Sequence, residues 1–103
     1  MLMIREIMYC KPGKVRSLIE KFIAMSKLGE KSGMPPMQLM TDFSAERYWI
    51  CLAEMKVPSL QAFEDMMSGK GMSEADGKEM ERIMEGYHDL VVKGRREIYR
   101  LEN

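Results

Sequence analysis

The chain has 103 residues, 46% of them hydrophobic and 31% charged, and its sixteen basic side chains balance sixteen acidic ones. At roughly 150 residues per domain this is one expected domain, too apolar for disorder and able to bury one modest core. It lacks the surplus positive charge on which sequence-independent nucleic-acid binding depends, and no apolar run approaches the ~20 residues that span a bilayer, so neither nucleic acid nor membrane is an expected partner.

The opening Met1-Leu2-Met3-Ile4-Arg5-Glu6 is strand-like and charged where a signal peptide needs an uninterrupted apolar stretch, so a cytoplasmic protein is expected. Cys10 and Cys51 are too few for a disulfide scaffold and have no metal-type spacing; buried reduced thiols are the expectation. Thirteen methionines are the compositional outlier. Methionine is a flexible, polarizable gap-filler, so the plain reading is an adaptable core. The sharper reading is a methionine-lined ligand cavity or partner surface. No Met/His cluster marks a thioether metal site, and no metal is expected.

Residues 2–10 predict a strand, apolar on both parities and therefore wanting cover on both sides. Pro12 is placed to open a helix over 14–28, where Val15, Leu18, Ile19, Phe22 and Ile23 follow helical spacing and Gly29 stands at the end. Gly33 and Pro35-Pro36 mark a loop. Residues 37–43 and 47–56 predict a second and third strand joined by Ser44-Ala45-Glu46. Ser59 is a candidate N-cap for a helix carrying Leu60, Phe63, Met66 and Met67; Ser68-Gly-Lys-Gly71 breaks it. Ser73-Glu-Ala-Asp76 opens a further helical stripe of Met80, Ile83, Met84, Tyr87 and Val91 that Gly94 ends. Residues 95–101 predict a fourth strand.

The order β-α-β-β-α-β, with the second helix in two pieces, predicts an α+β ferredoxin-like fold. Right-handed crossovers give a four-stranded antiparallel sheet in the order 4-1-3-2 with the helices on one face. In the third strand, small Cys51 and Ala53 suit helix packing, which leaves Tyr48, Ile50, Leu52 and Glu54 for the uncovered face. An uncovered apolar face marks a partner site, and the simplest partner is a second copy of the chain. Ile50 and Leu52 are the dimer-interface candidates.

The N-terminal strand running into Lys11-Pro12-Gly13-Lys14, the Tyr48-Trp49 strand, the split second helix and the closing Arg96-Glu97-Ile98-Tyr99 strand resemble the dimeric α/β-barrel superfamily, including its antibiotic-biosynthesis-monooxygenase-like and NIPSNAP-like families. The resemblance covers nearly the whole chain. It implies a homodimer whose sheets pair into a barrel, with a small-molecule pocket beside the sheet. In some members it implies cofactor-free oxidation or haem-related chemistry. The Asn, Trp and His of the haem-degrading members do not map here: the one asparagine is the terminal Asn103, and Trp49 reads as core packing. No catalytic residue is carried over, and no cofactor is assigned.

Ligand-binding candidates follow from chemistry. His88, the one histidine, could serve as a base or axial ligand, although a lone helix-edge histidine is more often structural. Glu54 and Glu6 could move protons from an apolar cavity, or pair with Arg5, Arg96 or Arg100; Arg100 joins the candidates as such a partner. Tyr9, Tyr48 and Tyr99 could hydrogen-bond a ligand.

The leading expectation is a homodimeric small-molecule-binding protein, acting on or holding an apolar or aromatic compound, with cofactor-independent oxygenase- or isomerase-like chemistry within its range. The alternative is a non-catalytic dimerisation or protein-interaction module. An RNA-binding sheet is disfavoured by the zero net charge and the missing Gly/aromatic signature in the third strand.

Overall fold

A computed structural model describes residues 1–103. Its elements run β1 (Leu2–Cys10), α1 (Val15–Lys31), β2 (Gln38–Thr41), β3 (Ile50–Val57), α2 (Leu60–Met67), α3 (Glu74–Met84), a 3-10 turn at Tyr87–Asp89 and β4 (Val91–Arg100). The sheet order is β2-β3-β1-β4, every neighbouring pair antiparallel, which is the expected 4-1-3-2 arrangement seen from the other edge. The molecule measures 37 × 36 × 18 Å, a slab one sheet and one helical layer thick.

The helical layer covers a single face. Leu18, Ile19 and Phe22 of α1 pack on Cys10 and Cys51, and Phe63 of α2 packs on Ile4, Met55 and Val57. Burial of such side chains contributes about 1.5–3 kcal/mol each, so truncating Phe22 to alanine would cost about 3–5 kcal/mol. α3 lies against α1. The Lys21 ammonium donates to the carbonyls of Ile83 (3.1 Å) and Glu85 (2.8 Å), satisfying orphan acceptors at the end of α3. Ser59 and Ser73 cap α2 and α3, each hydroxyl accepting a 3.1 Å bond from the amide three residues on.

The second strand is shorter than the expected 37–43, and four further boundaries differ from expectation. Pro12 and Gly13 form a turn closed by the Lys14 amide on the Lys11 carbonyl (3.0 Å), and the helix begins after it. α1 runs through Gly29 and ends at Lys31; just past its cap, Gly33 with a φ of +86° lets the Gly33 and Met34 amides fold back onto the Glu30 and Gly29 carbonyls. β3 begins at Ile50. Trp49 has a φ of +66°, a conformation in which an aromatic residue cannot extend a strand, and Tyr48 and Trp49 therefore belong to the β2–β3 connection. Trp49 is partly exposed and not part of the core. Finally, α3 ends at Met84, and Gly94 stands inside β4 opposite Met8. A Cβ at Gly94 would lie 2.8 Å from the Met8 sulfur, so the glycine makes room for a methionine that fills the core.

Candidate functional site

Strand alternation sorts the candidate residues before any ligand is considered. On β1, Met3, Arg5, Ile7 and Tyr9 face away from the helices, whereas Ile4, Glu6, Met8 and Cys10 face toward them. Arg5 stands opposite Glu54 on β3 and Glu97 on β4. The Arg5 guanidinium reaches Glu54 at 2.7 Å through both Nε and Nη2, approaches Glu97 at 3.8 Å, and lies 5.3 Å from the centre of the Tyr99 ring. The open face is therefore not uniformly apolar, as expected from β3 alone: an ion network crosses its middle.

Beside that network Ile7, Tyr9 and Ile50 form a small buried cluster with Leu52 at its edge. The β2–β3 connection supplies its cover. Glu46 accepts a 2.7 Å bond from the Tyr9 hydroxyl, and Asp42 accepts a 2.8 Å bond from the Ile50 amide. Arg47, Lys93 and Arg95 surround the Tyr9 ring at 4.5, 5.3 and 6.0 Å. The bond to Glu46 holds the Tyr9 phenol above its ordinary pKa. Between this connection and the sheet lies a recess of about 440 Å³, bounded by Arg5, Ile7, Leu52 and Arg95 below and by residues 41–46 above.

The remaining candidates are dispersed. Tyr48 is 82% exposed in the connection and lines no part of that recess. Glu6 points to the helix side, where it pairs with Arg96, itself stacked 4.9 Å from the Phe63 ring. His88 occupies the exposed 3-10 turn with its ring 4.0 Å from that of Tyr87. Arg100 is exposed at the end of β4, opposite Leu2. No cluster of three or more His, Cys, Asp or Glu side chains is spaced to hold a metal ion, and no helix is long and apolar enough to cross a membrane. Cys10 and Cys51 are both buried on the helix side; burial pushes the Cys51 thiol up to about 12 and raises that of Cys10.

A second cavity, of about 430 Å³, opens on the helix side. Its walls are α1, the strap at 34–37, β3 at Met55, the end of α2, the α2–α3 loop and the middle of α3. Apart from the Pro35 ring, every apolar side chain lining it is a methionine, eight in all: Met25, Met34, Met37, Met55, Met66, Met67, Met72 and Met80. The polar groups at its walls are few, chiefly Ser26, Ser68 and Glu81. Thioethers on unbranched stems can re-pack around ligands of different shape, and they favour contact with aromatic ring edges. None of the sequence-derived ligand candidates lines this cavity. The signal was present in composition, in the thirteen methionines and in the Met34-Pro-Pro-Met37 spacing. Only packing brings residues from six segments to one space.

No family model and no curated protein matches the sequence. Solved structures match its backbone along almost the whole length. An uncharacterized NIPSNAP-like domain protein from Burkholderia xenovorans superposes with a TM-score of 0.73 at 11% identity, covering 99% of this chain and 85% of its own. An antibiotic biosynthesis monooxygenase superposes at 0.72 with 10% identity over 100% of both chains. A Pseudomonas aeruginosa protein gives 0.69 at 15% identity over 97% of this chain and 93% of its own. This chain shares their ferredoxin-like fold. At such identities the likeness is one of backbone, and the residues that line the two cavities are this chain's own.

Proposed function

We propose that this protein binds a small apolar or aromatic compound in the methionine-lined cavity and works as a homodimer joined through the open sheet face. The observation that carries the reading is the helix-side cavity itself, in which eight thioethers supply nearly all the apolar lining. Its volume of about 430 Å³ falls within the range of small-molecule sites, and a few polar groups among apolar walls are what orient such ligands.

Two features support the homodimer. The chain exposes 6965 Å², whereas a folded monomer of 12.0 kDa exposes about 6,000 Å². The difference is comparable with the ~800 Å² that each partner buries in a stable interface. The excess includes Phe43, 103% exposed, and Met40, both next to the open-face recess. A twofold partner on this face would cover them and desolvate the Arg5–Glu54 pair.

Fluorescence titration with N-phenyl-1-naphthylamine tests the binding reading. Saturable binding of one molecule per chain, weakened by Met72→Glu at the cavity wall, is the expected result. Absence of saturable binding would defeat it. The second reading, a non-catalytic interaction module, draws on the exposed Phe43 and requires that a partner fill the open-face recess; a chain that pairs but binds no small molecule would favour it.

A further inference from the structure

Gly77 lies inside α3, where glycine is among the poorest helix formers. Its backbone is not left-handed, so no turn demands it. No close approach demands it either: a Cβ built there meets nothing within 4 Å. Gly29, also helical and also at the cavity wall, is different, since a Cβ there would stand 3.2 Å from the Met34 sulfur. The fold accounts for Gly29 and gives no reason for Gly77. What Gly77 does have is a place on the wall of the methionine cavity.

We propose that Gly77 is a ligand-contact position, leaving a bare patch of α3 backbone on which a planar aromatic molecule carrying a hydrogen-bond donor rests, with the Glu81 carboxylate receiving the donor. The inference rests on the cavity reading above and names the class of compound. Gly77 and Glu81 are four residues apart, hence on one face of the helix, and both line the cavity. A flat ring is the shape that gains most from a wall without side chains, and the surrounding thioethers favour ring edges. Glu81 is the one charged group among the lining residues, an acceptor when ionised.

The test compares N-phenyl-1-naphthylamine, whose flat naphthyl ring carries one N–H donor, on wild type, Gly77→Ala, Gly77→Leu, Glu81→Leu and Glu81→Gln, with melting temperatures measured alongside. Gly77→Ala is expected to raise the melting temperature by a few degrees while weakening the probe several-fold, and Gly77→Leu to abolish binding. Glu81→Leu should weaken binding, and Glu81→Gln, which keeps an acceptor, should recover most of it. Gly77 variants that bind the probe as tightly as wild type would overturn the inference and leave the cavity reading standing. A Gly77→Ala protein that melts lower than wild type would also overturn it, because the fold would then need the glycine. Wild type that binds no probe would remove both.

Discussion

The Tyr9 hydroxyl donates a 2.7 Å hydrogen bond to Glu46, 37 residues further along the chain, and the Arg47 guanidinium stacks 4.5 Å from the centre of the same ring. One aromatic side chain on β1 thus fastens the β2–β3 connection over the open face of the sheet. The connection in turn shields Ile50 and Tyr9, which a bare sheet would leave wet.

Tyr9→Phe keeps the ring and removes the fastening bond. We expect a loss of about 1 kcal/mol in urea unfolding, the usual net worth of such a bond. Amides of residues 43–48 should exchange faster with solvent while those of β1 keep their protection. Unchanged exchange in the connection would mean that the Asp42–Ile50 bond holds it alone.

Arg5 and Glu54 meet at 2.7 Å, with the Arg5 side chain 36% exposed and that of Glu54 only 14%. Solvent screens a pair so open on one side, so Glu54→Gln should cost the isolated chain no more than about 1 kcal/mol. In a dimer that covers the open face the pair loses its water, and the cost of breaking it rises. A Glu54→Gln penalty in urea unfolding that grows with protein concentration is the expected signature. A penalty independent of concentration would place the pair outside any interface.

Sedimentation equilibrium at micromolar concentration should report twice the 12.0 kDa chain mass. Met40 and Phe43 are exposed in the single chain, so Met40→Asp with Phe43→Ser should leave its fold intact and shift the mass to that of one chain. A wild type that sediments at 12.0 kDa would overturn the homodimer.

Cys51 is buried, and its thiol is pushed up to about 12 from an ordinary 9.0. The folded state therefore holds this proton more tightly than the unfolded chain does. Its contribution is fully present below about pH 9 and is lost as pH rises from there toward 12. Stability should fall across that window by at most about 1.4 kcal/mol per pH unit for this one proton. Cys51→Ala, whatever its stability at neutral pH, should flatten this alkaline limb. An unchanged slope would assign the limb to other groups.

Much of the fold is legible along the chain. The helical spacing from Val15 to Phe22, the serine caps at 59 and 73, and the strand composition of residues 2–10 are local signals, each read from neighbours a few residues apart. The misread positions are also instructive. Aromatic Tyr48 and Trp49 look like strand residues, yet the Asp42 carboxylate takes the Ile50 amide and Trp49 turns with positive φ. Gly94 looks like a helix end, yet it answers to Met8 on another strand. The deciding partners lie beyond the few-residue window that local patterns read: Asp42 stands eight residues before Ile50, and Met8 is on another strand.

The candidate site divides the same way. Periodicity and capping are set by bonds and contacts within a turn or two of chain, so the sequence by itself determined the element order, the ferredoxin-like topology and the surplus of methionine. Which carboxylate meets which arginine depended on strand register, and the gathering of thioethers from six segments depended on how the helices settle on the sheet. Those are properties of long-range packing, in which a residue's surroundings are chosen by the whole fold, and only the tertiary structure could supply them.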